Sequence, residues 1–96
     1  MIESLFSMQD KICVITGGSR GLGSYMAQGF LEAGAKRVYI TARKAEACIS
    51  AAEELSQYGE CIAIPGDVAT SEGLQNLVSE LMSREQYIDV LVNNAG

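Results

Sequence analysis

The segment Thr16 to Gly23, TGGSRGLG, constrains this chain more than any other eight residues. It follows Ile12, Cys13, Val14 and Ile15, a short charge-free run rich in β-branched residues, and it opens a stretch of helical periodicity. A strand, a glycine turn and a helix start therefore meet there. The first turn of a helix leaves backbone N–H groups unpaired and gathers partial positive charge at that end, which makes such a junction an anion site. Glycines let the backbone approach a phosphate closely and take up positive φ where the turn needs it.

The glycines fall at 17, 18, 21 and 23. The spacing is thus G-x-x-x-G-x-G and not the G-x-G-x-x-G of the general dinucleotide fingerprint, and no Gly-Lys-Ser/Thr follows to make a P-loop. The turn is read as a site for a dinucleotide's pyrophosphate. Bulk properties fit: 96 residues at 48% apolar content suit one small domain, or part of a larger one, with a real core. A net charge of −5 argues against nucleic acid or an anionic membrane as partner. Residues 1–10 lack the cationic start and long apolar core of a secretory signal, and no apolar run reaches membrane-spanning length, so a cytoplasmic protein is expected. Cys13, Cys48 and Cys61 are odd in number; with no histidine and no Cys-x-x-Cys pair they are expected to be buried thiols, and no metal site is expected.

Along the chain, Leu22, Met26, Gly29, Phe30 and Ala33 predict the apolar stripe of a first helix, with Gly34 as its stop and small residues at Ala27 and Gly29 allowing close approach to a sheet. Val38 to Ile40 form a second strand. Cys48, Ala51, Ala52 and Leu55 line a second helix whose Glu46, Glu53 and Glu54 face water, closed by Gly59. Cys61 to Ile64 make a third strand, broken by Pro65-Gly66. Thr70 or Ser71 caps a third helix with the stripe Leu74, Leu77, Val78, Leu81 and Met82, and Val90 to Val92 make a fourth strand. Strands that are apolar throughout and alternate with helices belong to a parallel sheet. Right-handed crossovers give it the doubly wound order 3-2-1-4, with the switch point between strands one and four. The glycine turn and Asn93-Asn94-Ala95-Gly96 then meet at the crevice where ligands bind. The first two helices should cover one face of the sheet and the third only part of the other, leaving strand four as an apolar edge.

In such a fold the end of the second strand faces the adenosine ribose, where an acid selects NAD and a cation accommodates a 2′-phosphate. That place holds Ala42, Arg43 and Lys44, and Arg20 reaches it from the glycine turn. Guanidiniums converging on a phosphate dianion make charge-assisted hydrogen bonds, so NADPH is preferred to NADH. Asp67 can accept from an adenine amine while Val68 covers the ring. Asn94 offers both donor and acceptor to a ribose, and Ala95-Gly96 leave room for it.

With these residues placed, the chain resembles the short-chain dehydrogenase/reductase family. The resemblance rests on TGGSRGLG, Asp67-Val68 and NNAG at Asn93 to Gly96, in the family's order, and spans essentially all 96 residues. A narrower likeness, to bacterial NADPH-dependent β-ketoacyl reductases including the rhamnolipid-associated type, lies in LEAGA at Leu31 to Ala35, ARKAEAC at Ala42 to Cys48 and SQYGECIAIPGD at Ser56 to Asp67. The resemblance implies an α/β, Rossmann-like domain over 1–96 that is only the N-terminal part of an enzyme. It also implies NADP as cofactor, a small-molecule carbonyl substrate such as a 3-oxoacyl thioester, and a homodimer or homotetramer for the full protein. Gly17, Gly18, Ser19, Arg20 and Leu22, with Gly21 and Gly23, would hold its phosphates, Arg43 the 2′-phosphate, Asp67 and Val68 the adenine, and Asn94 with Ala95 and Gly96 the ribose. The family's catalytic Ser and Tyr-x-x-x-Lys are not matched: Tyr25, Tyr39, Tyr58 and Tyr87 are followed four residues on by Gly29, Arg43, Ile62 and Leu91. No catalytic residue is therefore assigned. The alternatives are a non-catalytic NADP-binding module and, disfavoured by Arg43 where an acid is needed, a methyltransferase.

Overall fold

The computed structural model describes residues 7–94. Its elements run β1 (Ile12–Thr16), α1 (Gly21–Glu32), β2 (Arg37–Thr41), α2 (Ala45–Leu55), β3 (Cys61–Ala63), α3 (Ser71–Arg84) and β4 (Val90–Asn93). The strands form one parallel sheet in the order β3-β2-β1-β4, the doubly wound arrangement that the alternation of apolar strands and helices dictates. Register places Thr16 between Thr41 and Asn93, so the strands end in a row of three polar residues under the glycine turn.

Side chains alternate between two faces. Cys13, Ile15, Val38 and Ile40 point to α1 and α2 and meet Ala27, Leu31, Cys48, Ala52 and Leu55 in a fully buried cluster. On the other face Ile12, Val14, Tyr39 and Ile64 are covered by Leu77 and Leu81 of α3. That cover is narrow. Leu74, Val78 and Met82 of the α3 stripe remain exposed, as does Leu91 of β4. Coverage is thus unequal in the way expected, and β4 pairs only with β1 among the described residues.

The stripe of α1 is a correction. Gly23, Ala27 and Leu31 are its buried residues, while Leu22 and Gly29 are exposed and Met26 and Phe30 are half-buried. Spacing of i, i+4, i+8 puts these three on one face, and the small side chains let the helix axis approach the sheet, a contact that hydrophobicity alone undervalues. Gly34, at φ +101°, follows the helix end as expected. Thr70, not Ser71, caps α3, its hydroxyl accepting from the Gly73 amide at 3.0 Å.

Far from the glycine turn, the end of α3 is tied to β2. Arg37 donates from Nε to Glu85 at 2.5 Å and from Nη2 at 3.1 Å, and Tyr39 donates its hydroxyl proton to the same carboxylate at 2.5 Å. Glu60 accepts a third Arg37 bond at 3.3 Å. The bonds from Arg37, against the opposing effect of burial, hold the Glu85 carboxyl below the usual carboxylate range. The same bonds push the Arg37 guanidinium up, and burial followed by the Glu85 bond takes Tyr39 to about 12. All three cysteines are buried and free. Burial raises Cys13 to about 11 and Cys61 to about 12, and raises Cys48 also.

Candidate functional site

Gly17 and Gly21 take φ of +69° and +63°, which side chains rarely adopt, and the turn between them feeds into α1. Gly17 donates to the Thr41 carbonyl at 2.8 Å and Gly18 to the same oxygen at 3.4 Å. The turn is therefore fastened to the end of β2 as well as continuing β1. Gly23, in the first turn of α1, is buried. A Cβ there would collide with the Gly17 carbonyl and lie 2.8 Å from Nδ2 of Asn94, so the bend closes on itself only because position 23 has no side chain.

The end of β4 is locked to this bend. Asn94 donates its backbone N–H to Oγ1 of Thr16 at 2.9 Å, and its side-chain amide donates to the Gly17 carbonyl at 3.5 Å. Thr16 in turn donates toward Oδ1 of Asn93 at 3.0 Å. The two motifs that topology predicts to converge do converge, around one threonine hydroxyl. Ala95 and Gly96 lie outside the described residues.

Arg20 is the N-cap of α1 in extended conformation, its side chain making no cap bond, and no acidic residue lies in the helix's first turn. Arg20, Arg43 and Lys44 are exposed. Among the described residues neither Arg20 nor Arg43 has a hydrogen bond or ion pair to the protein, in contrast to Arg37 and Arg84. Two cations thus project from the two segments that the Thr41 carbonyl holds together. Ser19 is half-buried and Leu22 is 65% exposed at the mouth of the turn.

Beyond β3, Gly66 donates to the Ala42 carbonyl at 2.9 Å, drawing the Asp67 loop against the segment that carries Arg43. Asp67 accepts from the Ala69 amide through Oδ1 at 3.0 Å, which fixes the carboxylate and leaves Oδ2 unengaged by the described residues. Val68 packs on the α3-side core. The larger cavity, about 440 Å³, lies between β3 and α3 and reaches Gly66 and Gly73, behind this loop and not at the glycine turn. A hollow of about 290 Å³ between α1 and α2 reaches Ser19. Tyr39 is buried with its hydroxyl on Glu85, so Tyr39-x-x-x-Arg43 forms no proton-donating pair.

Two residues escape a reading of the sequence as site members: Thr16 and Thr41. Thr16 heads the TGGSRGLG segment without being read as a site member, and the only signal of Thr41 is a polar residue at the end of an otherwise apolar strand. The Thr41 hydroxyl is buried without a hydrogen-bond partner among the described residues, and its backbone carbonyl carries the turn.

No helix among the described residues is long and apolar enough to cross a membrane. Residues 11–96 match the family described as short chain dehydrogenase. A curated relative, the rhamnolipids biosynthesis 3-oxoacyl-[acyl-carrier-protein] reductase of Pseudomonas aeruginosa, is 52% identical over 91 residues, 95% of this chain and 35% of the relative. L-fucose dehydrogenase of Mus musculus is 43% identical over 86 residues, 90% of this chain and 30% of the relative. The chain spans about a third of the length of these curated relatives. Among solved structures, the Pseudomonas aeruginosa RhlG/NADP active-site complex superposes with a TM-score of 0.90 at 50% identity, covering 95% of this chain and 36% of that one. L-Sorbose reductase from Gluconobacter frateurii complexed with NADPH and L-sorbose gives 0.88 at 36% identity, covering 95% and 35%. With its glycine bend, its parallel order and a family match over nearly its whole length, the chain belongs to the short-chain dehydrogenases.

Proposed function

We propose that these residues are the coenzyme-binding part of a longer NADPH-dependent oxidoreductase that reduces a carbonyl to an alcohol. Gly17, Gly18, Ser19, Gly21, Leu22 and Gly23 receive the pyrophosphate, Arg20 and Arg43 the 2′-phosphate, Asp67 and Val68 the adenine, and Asn94 with Ala95 and Gly96 the adjoining ribose. The fit rests on chemistry present in the chain: a bend closed by a side-chain-free residue, a helix start with no acidic residue in its first turn, and two guanidiniums with no ion pair to the described residues. The bound coenzyme supplies the hydride; the residues here bind and orient it. Carbonyl reduction also needs a proton donor, and no Tyr-x-x-x-Lys stands in these 96 residues, so that role belongs to a part of the enzyme outside them. The named activity of the Pseudomonas relative makes a 3-oxoacyl thioester the first substrate to test.

The observation that carries this reading is the unpartnered pair Arg20 and Arg43 on segments joined at one carbonyl. A fluorescence titration of the chain with NADPH and with NADH tests it. Hydrogen bonds to charged groups contribute about 1.5–3 kcal/mol each, so NADPH binds tighter by about tenfold or more. Equal affinities would remove Arg20 and Arg43 from the site.

A further inference from the structure

The glycine at position 18 has a different physical basis from its neighbours at 17 and 21. Gly18 does not have positive φ, so its backbone conformation is open to any residue. Space is what forbids a side chain. A Cβ at Gly18 would lie 2.6 Å from Cγ2 and 2.8 Å from Cβ of Ile40, and 3.4 Å from the Ile15 carbonyl oxygen. Ile40 cannot yield cheaply. It is fully buried, sits in register between Ile15 and Ala63, and the atoms in the way are its branch point and the methyl on it, not the end of a flexible chain.

From this we infer that Ile40 is a positioning residue for coenzyme selectivity, matched in size to the missing side chain at Gly18. The match sets how closely the glycine turn approaches the end of β2. At that approach the Gly17 and Gly18 amides both reach the Thr41 carbonyl. Arg20 follows Gly18 by two residues and Arg43 follows Thr41 by two. The packing of Gly18 on Ile40 therefore determines whether the two guanidiniums meet on one phosphate. Ile40 itself touches no ligand and acts through the turn. A methyl group at position 18 pushes the turn from β2 and separates the cations; Gly18 is itself in the pyrophosphate turn, so both coenzymes lose some affinity, while the helix start at Gly21 to Gly23 stays in place. The cost falls on the 2′-phosphate more than on the rest of the coenzyme.

The inference rests on the NADPH reading above, and the wild-type titration separates failure of one from failure of the other. The test is a cycle of Gly18→Ala, Ile40→Ala and the double variant, each titrated with NADPH and with NADH and each melted thermally. Gly18→Ala is expected to lower the NADPH-to-NADH affinity ratio by about fivefold, while in the Ile40→Ala background, where Cγ2 is gone and only the Cβ contact at 2.8 Å remains, the same change lowers it by about twofold, a non-additivity that only contacting residues show. A purely structural role would lower melting temperature and both affinities together with the ratio unchanged, and would overturn the inference. So would equal losses of the ratio in both backgrounds. Where Gly18→Ala alone does not fold, a double variant that folds but falls about fivefold or more below Ile40→Ala in the ratio also overturns it. A wild-type chain that binds the two coenzymes equally overturns the functional reading and this inference with it.

Discussion

Two arginines at opposite ends of one strand, Arg37 inside it and Arg43 just beyond it, have opposite fates. Arg37, at the start of β2, is enclosed by anions: Glu85 and Glu60 accept its guanidinium bonds, and Tyr39 shares the Glu85 carboxylate. Arg43, two residues past the end of the same strand, is exposed and has no protein partner among the described residues. The chain is net acidic, with 12 carboxylate residues against 7 cations, yet of its four arginines Arg20 and Arg43 have no ion pair to the described residues while Arg37 and Arg84 do. A cation satisfied inside the fold is part of its structure. A cation without an ion pair to the described residues, beside a glycine bend at a helix start, is free to meet an anion from outside, which is the role proposed for Arg43.

Three substitutions probe that contrast, beginning with the strongest. Arg43→Ala is expected to raise the dissociation constant for NADPH by about tenfold to a hundredfold, at about 1.4 kcal/mol per factor of ten, with NADH affinity and melting temperature nearly unchanged. A titration in which both coenzymes lose equally would make Arg43 a structural cation like Arg37. Glu85→Gln should do the reverse, costing about 2 kcal/mol of folding stability by denaturant titration because two charge-assisted bonds weaken in a largely buried setting, and leaving the NADPH-to-NADH ratio alone. The pH dependence follows from the direction of the Glu85 shift. Its carboxyl titrates lower in the folded than in the unfolded chain, so its contribution is complete above the unfolded value and is lost as pH falls through the folded one. Wild type should thus lose stability in that acid range more steeply than Glu85→Gln. The smallest effect belongs to Arg84→Ala. Its pair with Glu80 joins two half-exposed side chains one helical turn apart, and such pairs contribute about 0.3–0.5 kcal/mol; a loss above about 1 kcal/mol would show that exposure is a poor guide to which cations are structural here.

The sheet was legible because its signals are local and redundant: uninterrupted apolar strands, glycine and proline breaks, and handedness rules that leave one order. The candidate site stands out in sequence at its glycines and at Arg20 and Arg43, since both kinds of residue are conspicuous there. Less legible was everything that depends on which side chain meets which. The buried face of α1 is Gly23, Ala27 and Leu31, and two of these three carry little hydrophobic signal. Thr16 reads as the first residue of a motif, yet its hydroxyl is where the ends of β1 and β4 are joined. The bond from Arg37 to Glu85 spans 48 residues, and no periodicity within either segment announces it. Asn94 illustrates a mixture: its place at the crevice follows from topology, whereas its amide bracing the Gly17 carbonyl is visible only in three dimensions.

The three cysteines lie under this arrangement with every thiol proton pushed toward retention. Thiol nucleophilicity belongs to the thiolate, and burial disfavours that form at all three. Thiol-directed reagents therefore find these cysteines shielded until the fold opens. The three thiols then become a clock for unfolding, silent throughout the native lifetime and reactive only at its end.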